Sequence, residues 1–358
     1  MFSFLSHQRK FFSSTLFSKR CFTSSQNQNS FKVPQPEIKR DSFRDMISQD
    51  SPIYQPESGR YHLYIGHGCP FAHRTSITLK LKGLEDHIGV SVAHPTMQKT
   101  KPEVDDHAGY VFRKEDDPPL NSVAGYGSVS CKGCIPDTVN NFSTVRQLYE
   151  MAKGTGRYSI PVLWDKKNKT IVNNESADIV RIFNSAFNKF ARNSTLDLYP
   201  EALRQKIDEV SEWTHQSVIL GVYKVGYAKT QEEYETAFHK FFEGLDRVEE
   251  VLSKSRYLCG DQFTEIDIKL FVTLVRIDEA YHVYYKCNKK RIVEYPNILN
   301  YCRDIYQIPG IAETVNMEHI KAIYFTSPLE LSPYSIIPIG PNFEASLKEK
   351  HDRNRFSS

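Results

Sequence analysis

A β-α-β pattern near the start of the chain limits most strongly what this sequence can fold into. Residues 61–66 are rich in β-forming side chains and predict a short strand, residues 71–84 have the apolar spacing of a helix, and residues 90–93 predict a second strand. Cys69 and Pro70 stand at the turn between the first strand and the helix. The pattern predicts an α/β domain whose first helix begins at a cysteine. Its expected buried positions are Ala72, Ile77, Leu79 and Leu84.

The following residues complete this domain. Residues 143–153 predict a helix, 160–164 and 170–172 the two strands of a hairpin, and 175–187 a last helix. The stretch of about 95–141 is rich in Pro, Gly, Asp and Ser and is too long for an ordinary connection, so we interpret it as an insertion. The order β-α-β, α, β-β-α, with a cysteine at the first helix and a proline at the third strand, is that of a thioredoxin-like domain.

The second half of the chain has a different character, because only helical periodicity follows residue 196. We therefore predict an all-α C-terminal domain, in which Thr264 and Asp267 form a capping box at a helix start. Residues 328–358 are predicted to run over the surface as a tail. The predicted organisation is a leader at 26–55, the thioredoxin-like domain at 56–190, the helical domain at 196–325 and the tail at 326–358.

The first 25 residues carry most of the charge imbalance of the chain. The whole sequence has 46 basic and 43 acidic side chains and a net charge of +3, which is too balanced to suggest a nucleic-acid partner. No apolar run is long enough to predict a membrane-spanning helix. Residues 1–25 contain Arg9, Lys10, Lys19 and Arg20, many serines and no acid, which is typical of a transit peptide. We expect a mitochondrial protein, with plastid and cytoplasm as the alternatives.

Cys69 is the candidate nucleophile. A free thiol has a pKa of about 8.5, and the N–H groups and dipole of a helix N-terminus favour the thiolate there. Pro70 suits the first helical position because it has no N–H to leave unbonded. Ala72 occupies the place of the second cysteine of a C-x-x-C motif. Cys69 is therefore expected to form a mixed disulfide with an external thiol, which a second external thiol resolves.

Six further cysteines accompany Cys69, and the odd total of seven argues against a disulfide framework in a chain without a secretory signal. Cys131 and Cys134 form a C-x-x-C motif, which can be redox-active or can supply half of a zinc site. No second ligand pair follows at a suitable spacing, so we expect no metal. We interpret the motif as two loop thiols and keep a redox switch as the alternative.

Two further motifs belong to the same domain. In a thioredoxin-like fold Pro161 would follow a cis bond and turn the backbone of Ile160 toward the thiol. Glu175 and Ser176 begin the last helix of the domain. Ser176 with the free N–H groups could hold a carboxylate, and Glu175 could hold an ammonium group. A γ-glutamyl group contains both.

Taken together, these motifs resemble the glutathione transferase superfamily, and within it the Xi class, the glutathionyl-hydroquinone reductases. The resemblance covers roughly residues 61–324 and rests on the combination of several segments: 69–74, 81–92, 161–165, 171–176, 221–228, 285–288 and 303–307. It implies glutathione as co-substrate, aromatic glutathionyl conjugates as partners, a homodimer and no further cofactor. The chain departs from the class at three places: Phe71 replaces the usual Trp, Tyr284 stands where His is expected, and the stretch 122–138 is longer than usual.

The resemblance also implies a role for each site residue. Cys69 would attack the sulfur of a glutathionyl-hydroquinone thioether. The implied glutathione site comprises Phe71, Ile160, Pro161, Glu175 and Ser176, and the implied aromatic pocket comprises Tyr223, Tyr281 and Tyr306.

Three other functions compete with a reductase of glutathionyl-hydroquinones. An Omega-like thiol transferase or dehydroascorbate reductase would share Cys69 and the fold but prefer disulfides or dehydroascorbate. A non-catalytic binding module would have an inert thiol at Cys69. A serine- or tyrosine-type conjugating enzyme is disfavoured, because a thiolate at the reactive position favours removal of glutathione over its addition.

Overall fold

The computed structural model describes residues 42–356. The predicted transit peptide and the first part of the predicted leader lie outside the described residues. Residues 42–55, also assigned to the leader, belong to the fold: Phe43 and Ile47 are buried. The backbone N–H of Phe43 donates to Asn174 Oδ1 at 3.1 Å, and Asn174 N–H donates back to the Phe43 carbonyl at 3.0 Å. This segment therefore covers the edge of the first domain.

The first domain is built on a four-stranded mixed sheet. The strands of the described chain are β1 (Tyr61–Ile65), β2 (Gly89–Val92), β3 (Gln98–Lys99), β4 (Ala108–Gly109), β5 (Val162–Asp165) and β6 (Thr170–Asn173). The sheet has the order β2-β1-β5-β6, with β1 parallel to β2 and antiparallel to β5, and with β5 antiparallel to β6. This arrangement places the chain entering the first helix beside the chain entering β5.

Three helices cover this sheet: α1 (Pro70–Lys82), α2 (Val145–Met151) and α3 (Ser176–Ser185). The predicted strands and helices are confirmed, with bounds that differ by at most two residues. The four positions expected to be buried between residues 71 and 84 are buried. Helix α1 ends at Gly83, whose φ of +63° is a left-handed conformation that suits glycine.

The insertion between β2 and α2 is mostly irregular, as expected, but it is attached to the sheet. Strands β3 and β4 form a short hairpin within it. Single bridges then pair Val92 with Ile135 and Ala93 with Phe112. The N–H of Val92 donates to the Ile135 carbonyl at 2.9 Å, and Ile135 N–H donates back at 3.0 Å. The insertion thereby satisfies backbone groups at the β2 edge that would otherwise face solvent.

The second half of the chain is helical. Its α-helices before the tail, among the described residues, are α4 (Arg204–Thr214), α5 (Gly221–Gly226), α6 (Gln231–Lys254), α7 (Glu265–Leu274), α8 (His282–Tyr284), α9 (Pro296–Tyr306) and α10 (Met317–Thr326). A π-helical turn follows α4 at His215–Ile219, and another precedes α8 at Ile277–Tyr281. The predicted capping box of Thr264 and Asp267 is confirmed. No helix of residues 42–356 has the length and apolar character to cross a membrane.

The prediction of a tail lying over the surface is wrong for its second part. Helix α11 (Phe343–Leu347) buries Phe343 and Leu347, which lie four residues apart on one face of the helix. Arg353 is fully buried and donates to the carbonyls of Leu252, Ser255 and Arg256. The end of the chain is thus part of the core of the helical domain.

This packing predicts that Phe343→Ala destabilises the protein by about 3–5 kcal/mol, because it removes a ring that is only 1% exposed and leaves a cavity. The matched control is Ile339→Ala, since Ile339 lies in the same tail but is 99% exposed. Thermal unfolding of both variants tests this. Equal and small losses of Tm would mean that α11 does not contribute to the core.

Candidate active site around Cys69

Cys69 lies directly before helix α1, between the two domains. It is the N-cap residue of the helix, in an extended conformation, and only 6% of it is exposed. Its Sγ is 3.8 Å from the carbonyl oxygen of Ile160, and the Ile160–Pro161 bond is cis, as predicted. The hydroxyl of Tyr110, which sequence reasoning missed, also interacts with the thiol. The structure therefore brings Cys69, Ile160 and Pro161 together at one point.

The electrostatics at Cys69 differ from the sequence expectation. Burial raises the pKa of the Cys69 thiol, while the backbone N–H groups of Ala72 and Phe71 and the charges of Arg276 and Arg74 lower it. Burial is the largest of these effects, so the net direction is upward in the free protein. The start of a helix does not by itself offset the desolvation of a fully enclosed thiolate. The two guanidinium groups lower the pKa of this thiol further, by less than the N–H groups of the helix do.

Arg276 connects the helical domain to the loop that precedes Cys69. It follows α7, is fully buried and donates from Nε to the Gly68 carbonyl at 3.2 Å and from Nη2 to the His67 carbonyl at 3.1 Å. Among the described residues no carboxylate lies within salt-bridge distance of its guanidinium. Its hydrogen-bond partners are backbone carbonyls and His73 Nδ1, which lies 3.3 Å from Nη1, so no carboxylate neutralises its charge and the charge acts on the neighbouring thiol.

Helix α10 packs against the same loop from the other side. A Cβ atom at Gly68 would lie 2.6 Å from the His319 carbonyl oxygen and 2.7 Å from Ile323 Cγ2, so only glycine permits this approach. The rings of His67 and His319 are 5.5 Å apart, and burial lowers the pKa of both imidazoles, that of His67 to about 4. Both rings are therefore neutral at physiological pH.

The residues expected to hold glutathione converge beside Cys69. Glu175 is the N-cap of α3, and its Oε1 accepts hydrogen bonds from Ala177 N–H at 3.1 Å and from Ser176 Oγ at 3.3 Å. Arg74 reaches this place from α1, with its Nη1 3.5 Å from Ser176 Oγ. The Arg74 guanidinium lies 4.8 Å from the centre of the Phe71 ring. A polar corner with both signs of charge thus adjoins the thiol.

Tyrosine side chains form the other wall of the site. Tyr223 stacks on Phe71 with ring centres 6.4 Å apart, and its ring also contacts Tyr281 and Tyr285. The hydroxyl oxygens of Tyr281 and Tyr324 are 2.9 Å apart and share a hydrogen bond. The Tyr223 hydroxyl is buried and has no hydrogen-bond partner among residues 42–356. We call Tyr223, Tyr281, Tyr285 and Tyr324 the tyrosine cluster.

The structure does not bring Tyr306 to the tyrosine cluster. Tyr306 ends α9, and its hydroxyl donates to Glu344 of α11 at 3.0 Å. Tyr324 of α10 occupies the place that the sequence reasoning gave to Tyr306. Nothing in the local pattern distinguishes these two tyrosines, because each follows an isoleucine in the last turn of a helix. Their positions depend on packing between distant segments.

Tyr284 and the C-x-x-C motif lie beside the site without entering it. The Tyr284 hydroxyl donates to the Pro328 carbonyl at 2.9 Å and so fastens the start of the tail. Cys131 and Cys134 are both buried thiols at a turn, and burial raises the pKa of Cys134 to about 12. The carbonyl of Lys132 within this turn accepts a hydrogen bond from His319 Nε2 at 2.8 Å. The motif therefore packs against α10, and its redox activity stays a prediction.

Comparison with known proteins gives matches over both halves of the chain. The family model for the glutathione S-transferase N-terminal domain matches residues 68–186, and that for the C-terminal domain matches residues 231–304. The glutathionyl-hydroquinone reductase YqjG of Escherichia coli is 46% identical over 300 residues, which are 83% of this chain and 84% of that protein. The glutathione S-transferase omega-like 2 of Schizosaccharomyces pombe is 41% identical over 84% of this chain and 91% of its own length.

Solved structures agree with these matches. The glutathione S-transferase Xi from Phanerochaete chrysosporium superimposes with a TM-score of 0.76 at 45% identity, over 85% of this chain and 97% of that one. The glutathione-bound structure of YqjG superimposes with a TM-score of 0.77 at 43% identity, over 88% of this chain and 98% of that one.

The contacts of Arg276 predict that Arg276→Met shifts the alkylation of Cys69 to higher pH. Removal of the positive charge takes away an interaction that lowers the pKa of the thiol, so the thiolate forms later in the titration. The rate of iodoacetamide labelling of Cys69 against pH measures this. Arg276→Lys keeps the charge and should lie closer to the wild type, and the exposed Arg204→Met is the control. An unchanged midpoint in a folded Arg276→Met protein would contradict the electrostatic role.

Proposed function

This chain belongs to the glutathione S-transferase family, in its Xi class of glutathionyl-hydroquinone reductases, and on that premise we propose that Cys69 performs the glutathione-dependent reduction of glutathionyl-hydroquinones to hydroquinones. The chain is a glutathione-dependent oxidoreductase of the superfamily. The observation that carries the proposal for Cys69 is its placement: a single thiol lies at the start of α1, 3.8 Å from the Ile160 carbonyl and beside the tyrosine cluster.

The proposed reaction has two steps. In the first, the Cys69 thiolate attacks the sulfur of the thioether, the carbon–sulfur bond breaks, and the aromatic carbon takes the electron pair and a proton to give the free hydroquinone. Cys69 is then joined to glutathione in a mixed disulfide. In the second, the thiolate of another glutathione attacks the glutathione sulfur of this disulfide, which releases oxidised glutathione and returns the Cys69 thiolate. One conjugate and one glutathione thus give one hydroquinone and one oxidised glutathione.

The residues around the Cys69 thiol support this two-step reaction. Residue 72 is alanine, so an external thiol is needed to resolve the mixed disulfide. Ile160 presents its backbone beside Cys69, as a short strand would to the cysteinyl part of glutathione. Glu175 and Ser176 offer a carboxylate and a hydroxyl to the ammonium and carboxylate of the γ-glutamyl group. Phe71 covers this corner with a ring, without the N–H donor that tryptophan would add.

The tyrosine cluster suits an aromatic diol. Phenol rings can stack on a quinol ring, and their hydroxyls can donate to and accept from its oxygens. The unbonded hydroxyl of Tyr223 and the Tyr281–Tyr324 pair are the groups available for this. We assign the aromatic pocket to Tyr223, Tyr281 and Tyr324 on these contacts.

Single-turnover reduction of a glutathionyl-hydroquinone tests the nucleophile. Protein without residues 1–25 should release one equivalent of hydroquinone and retain glutathione on Cys69, whereas Cys69→Ser should release none because it lacks the thiolate. The matched control is Cys131→Ser, which removes another buried thiol outside the site. If the wild type becomes glutathionylated by a simple disulfide but leaves the conjugate intact, the Omega-like thiol transferase is the function. An unreactive Cys69 would favour a binding module.

Substitution of the tyrosines tests the aromatic pocket. Tyr324→Phe removes the hydroxyl that bonds to Tyr281 and keeps the ring, so kcat/KM for the conjugate should fall about 10-fold. Tyr306→Phe removes a hydroxyl that bonds to Glu344 of the tail, and it should leave kcat/KM unchanged. The opposite order of effects would return Tyr306 to the pocket.

Two other expectations stay predictions. The resemblance implies a homodimer, which light scattering of the purified protein can measure. Import into mitochondria rests on residues 1–25, and a fusion of these residues to a fluorescent protein tests it.

A further inference from the structure

Arg74 is a buried cation without a full set of partners. Only 3% of the residue is exposed, and its Nε and Nη2 atoms make no hydrogen bond within residues 42–356. Within the described part of the chain, its guanidinium makes one long hydrogen bond, of 3.5 Å, from Nη1 to Ser176 Oγ. The Phe71 ring lies against one side of the guanidinium, at 4.8 Å. Two donors of a planar fork are thus enclosed and unused.

The other buried arginines of the described chain show how unusual this is. Arg60 forms bonds to the carboxylates of Asp165 and Glu57, and Arg146 to that of Asp105. Arg276 and Arg353 are bonded to backbone carbonyls. A buried charge normally has such partners, because desolvation without them costs several kcal/mol. We therefore expect a ligand to supply the hydrogen-bond acceptor that Arg74 lacks among the described residues.

The position of Arg74 selects the kind of ligand. Arg74 lies on the helix that begins at Cys69, and its Nη1 is 3.5 Å from Ser176 Oγ, so the guanidinium lies between the start of α1 and the start of α3. The carboxylate of Glu175 is engaged by the N–H of Ala177 and by Ser176, not by Arg74. An anionic oxygen held at Ser176 would lie within reach of the same guanidinium. A guanidinium fork matches the planar geometry of a carboxylate.

We propose that Arg74 donates from Nε and Nη2 to the α-carboxylate of the γ-glutamyl group of glutathione, and so holds this carboxylate together with Ser176. The inference rests on the proposed function, in that glutathione is the ligand. It leaves Glu175 for the ammonium group of the same γ-glutamyl moiety. Recognition of the glutathione end by α1 also fixes its distance from Cys69, because Cys69 and Arg74 lie five residues apart at the start of one helix.

A binding cycle tests the assignment without turnover. Protein carrying Cys69→Ser is titrated by calorimetry with glutathione and with γ-aminobutyryl-cysteinyl-glycine, which lacks only the α-carboxyl group. In this background glutathione should bind about 10- to 100-fold more tightly than the analogue. After Arg74→Gln only Ser176 remains to bind the α-carboxylate, so the ratio of the two affinities should fall. The fall should come from weaker binding of glutathione, with little change in the affinity for the analogue. Arg74→Lys should retain part of the ratio, since it keeps the charge but not the fork.

Controls separate this role from others. Arg44→Gln removes an exposed charge that also faces α3, through Asp178, and it should leave the ratio unchanged. γ-Glutamyl-cysteine, which lacks the glycine carboxylate, should be weakened equally by Arg74→Gln. Equal weakening of glutathione and γ-aminobutyryl-cysteinyl-glycine by Arg74→Gln would overturn the proposal. So would an Arg74→Gln protein that no longer distinguishes glutathione from γ-glutamyl-cysteine, because Arg74 would then bind the glycine carboxylate.

Failure of the proposed function would be visible elsewhere. If the wild type did not reduce a glutathionyl-hydroquinone but the binding cycle gave the expected ratio, the role of Arg74 in glutathione binding would be supported and the proposed reaction would be wrong. Circular dichroism establishes that each variant is folded. If Arg74→Gln does not fold, the Arg74→Lys protein decides, because an undiminished ratio in that variant overturns the proposal.

Discussion

The proposed reaction centre combines a buried thiol with positive charge that is buried between the two domains. Cys69 is so enclosed that burial outweighs the stabilisation a thiolate gains from the start of α1. Arg276, from the helical domain, bonds to the carbonyls just before Cys69, and Arg74, from α1, lies on the other side. Neither has a carboxylate partner among the described residues, so both charges remain available to the thiol and its ligands. If Cys69 is the nucleophile that we propose, residues of both domains set the properties of its thiol.

The part of this arrangement that could be predicted from the sequence is the local part. Cys69 with Pro70, Ile160 with Pro161, and Glu175 with Ser176 each stand at the boundary of a strand or helix, where short-range rules apply. The sheet order makes these boundaries meet, and the structure places all six residues around one point. A β-α-β pattern with its following hairpin was therefore enough to anticipate the fold of the first domain and half of the site.

The other half arises from contacts between segments far apart in the sequence. Arg276 is separated from Gly68 by 208 positions, and no periodicity indicates that its side chain reaches back to the first domain. Tyr324 and Tyr306 both lie in the last turn of a helix, and only packing decides which of them meets Tyr281. The prediction for the tail is wrong for the same reason. Phe343 and Leu347 are two isolated apolar residues in a polar, proline-bearing stretch, and they are buried against a part of the core that is distant in the sequence. A sequence pattern with so few apolar residues does not predict burial unless the segment that packs against it is known.

The insertion between β2 and α2 fixes the position of helix α10. Helix α10 closes the site over Gly68 and carries Tyr324, so its position must be fixed. The insertion bonds to it at both ends: Lys132 accepts a hydrogen bond from His319 near its start, and the Thr96 hydroxyl bonds to that of Thr326 at its end, at 2.8 Å. Because the insertion is itself paired to β2, it ties α10 to the sheet that positions Cys69. A long irregular segment is what this connection requires, since it must span from the sheet edge around both ends of a ten-residue helix.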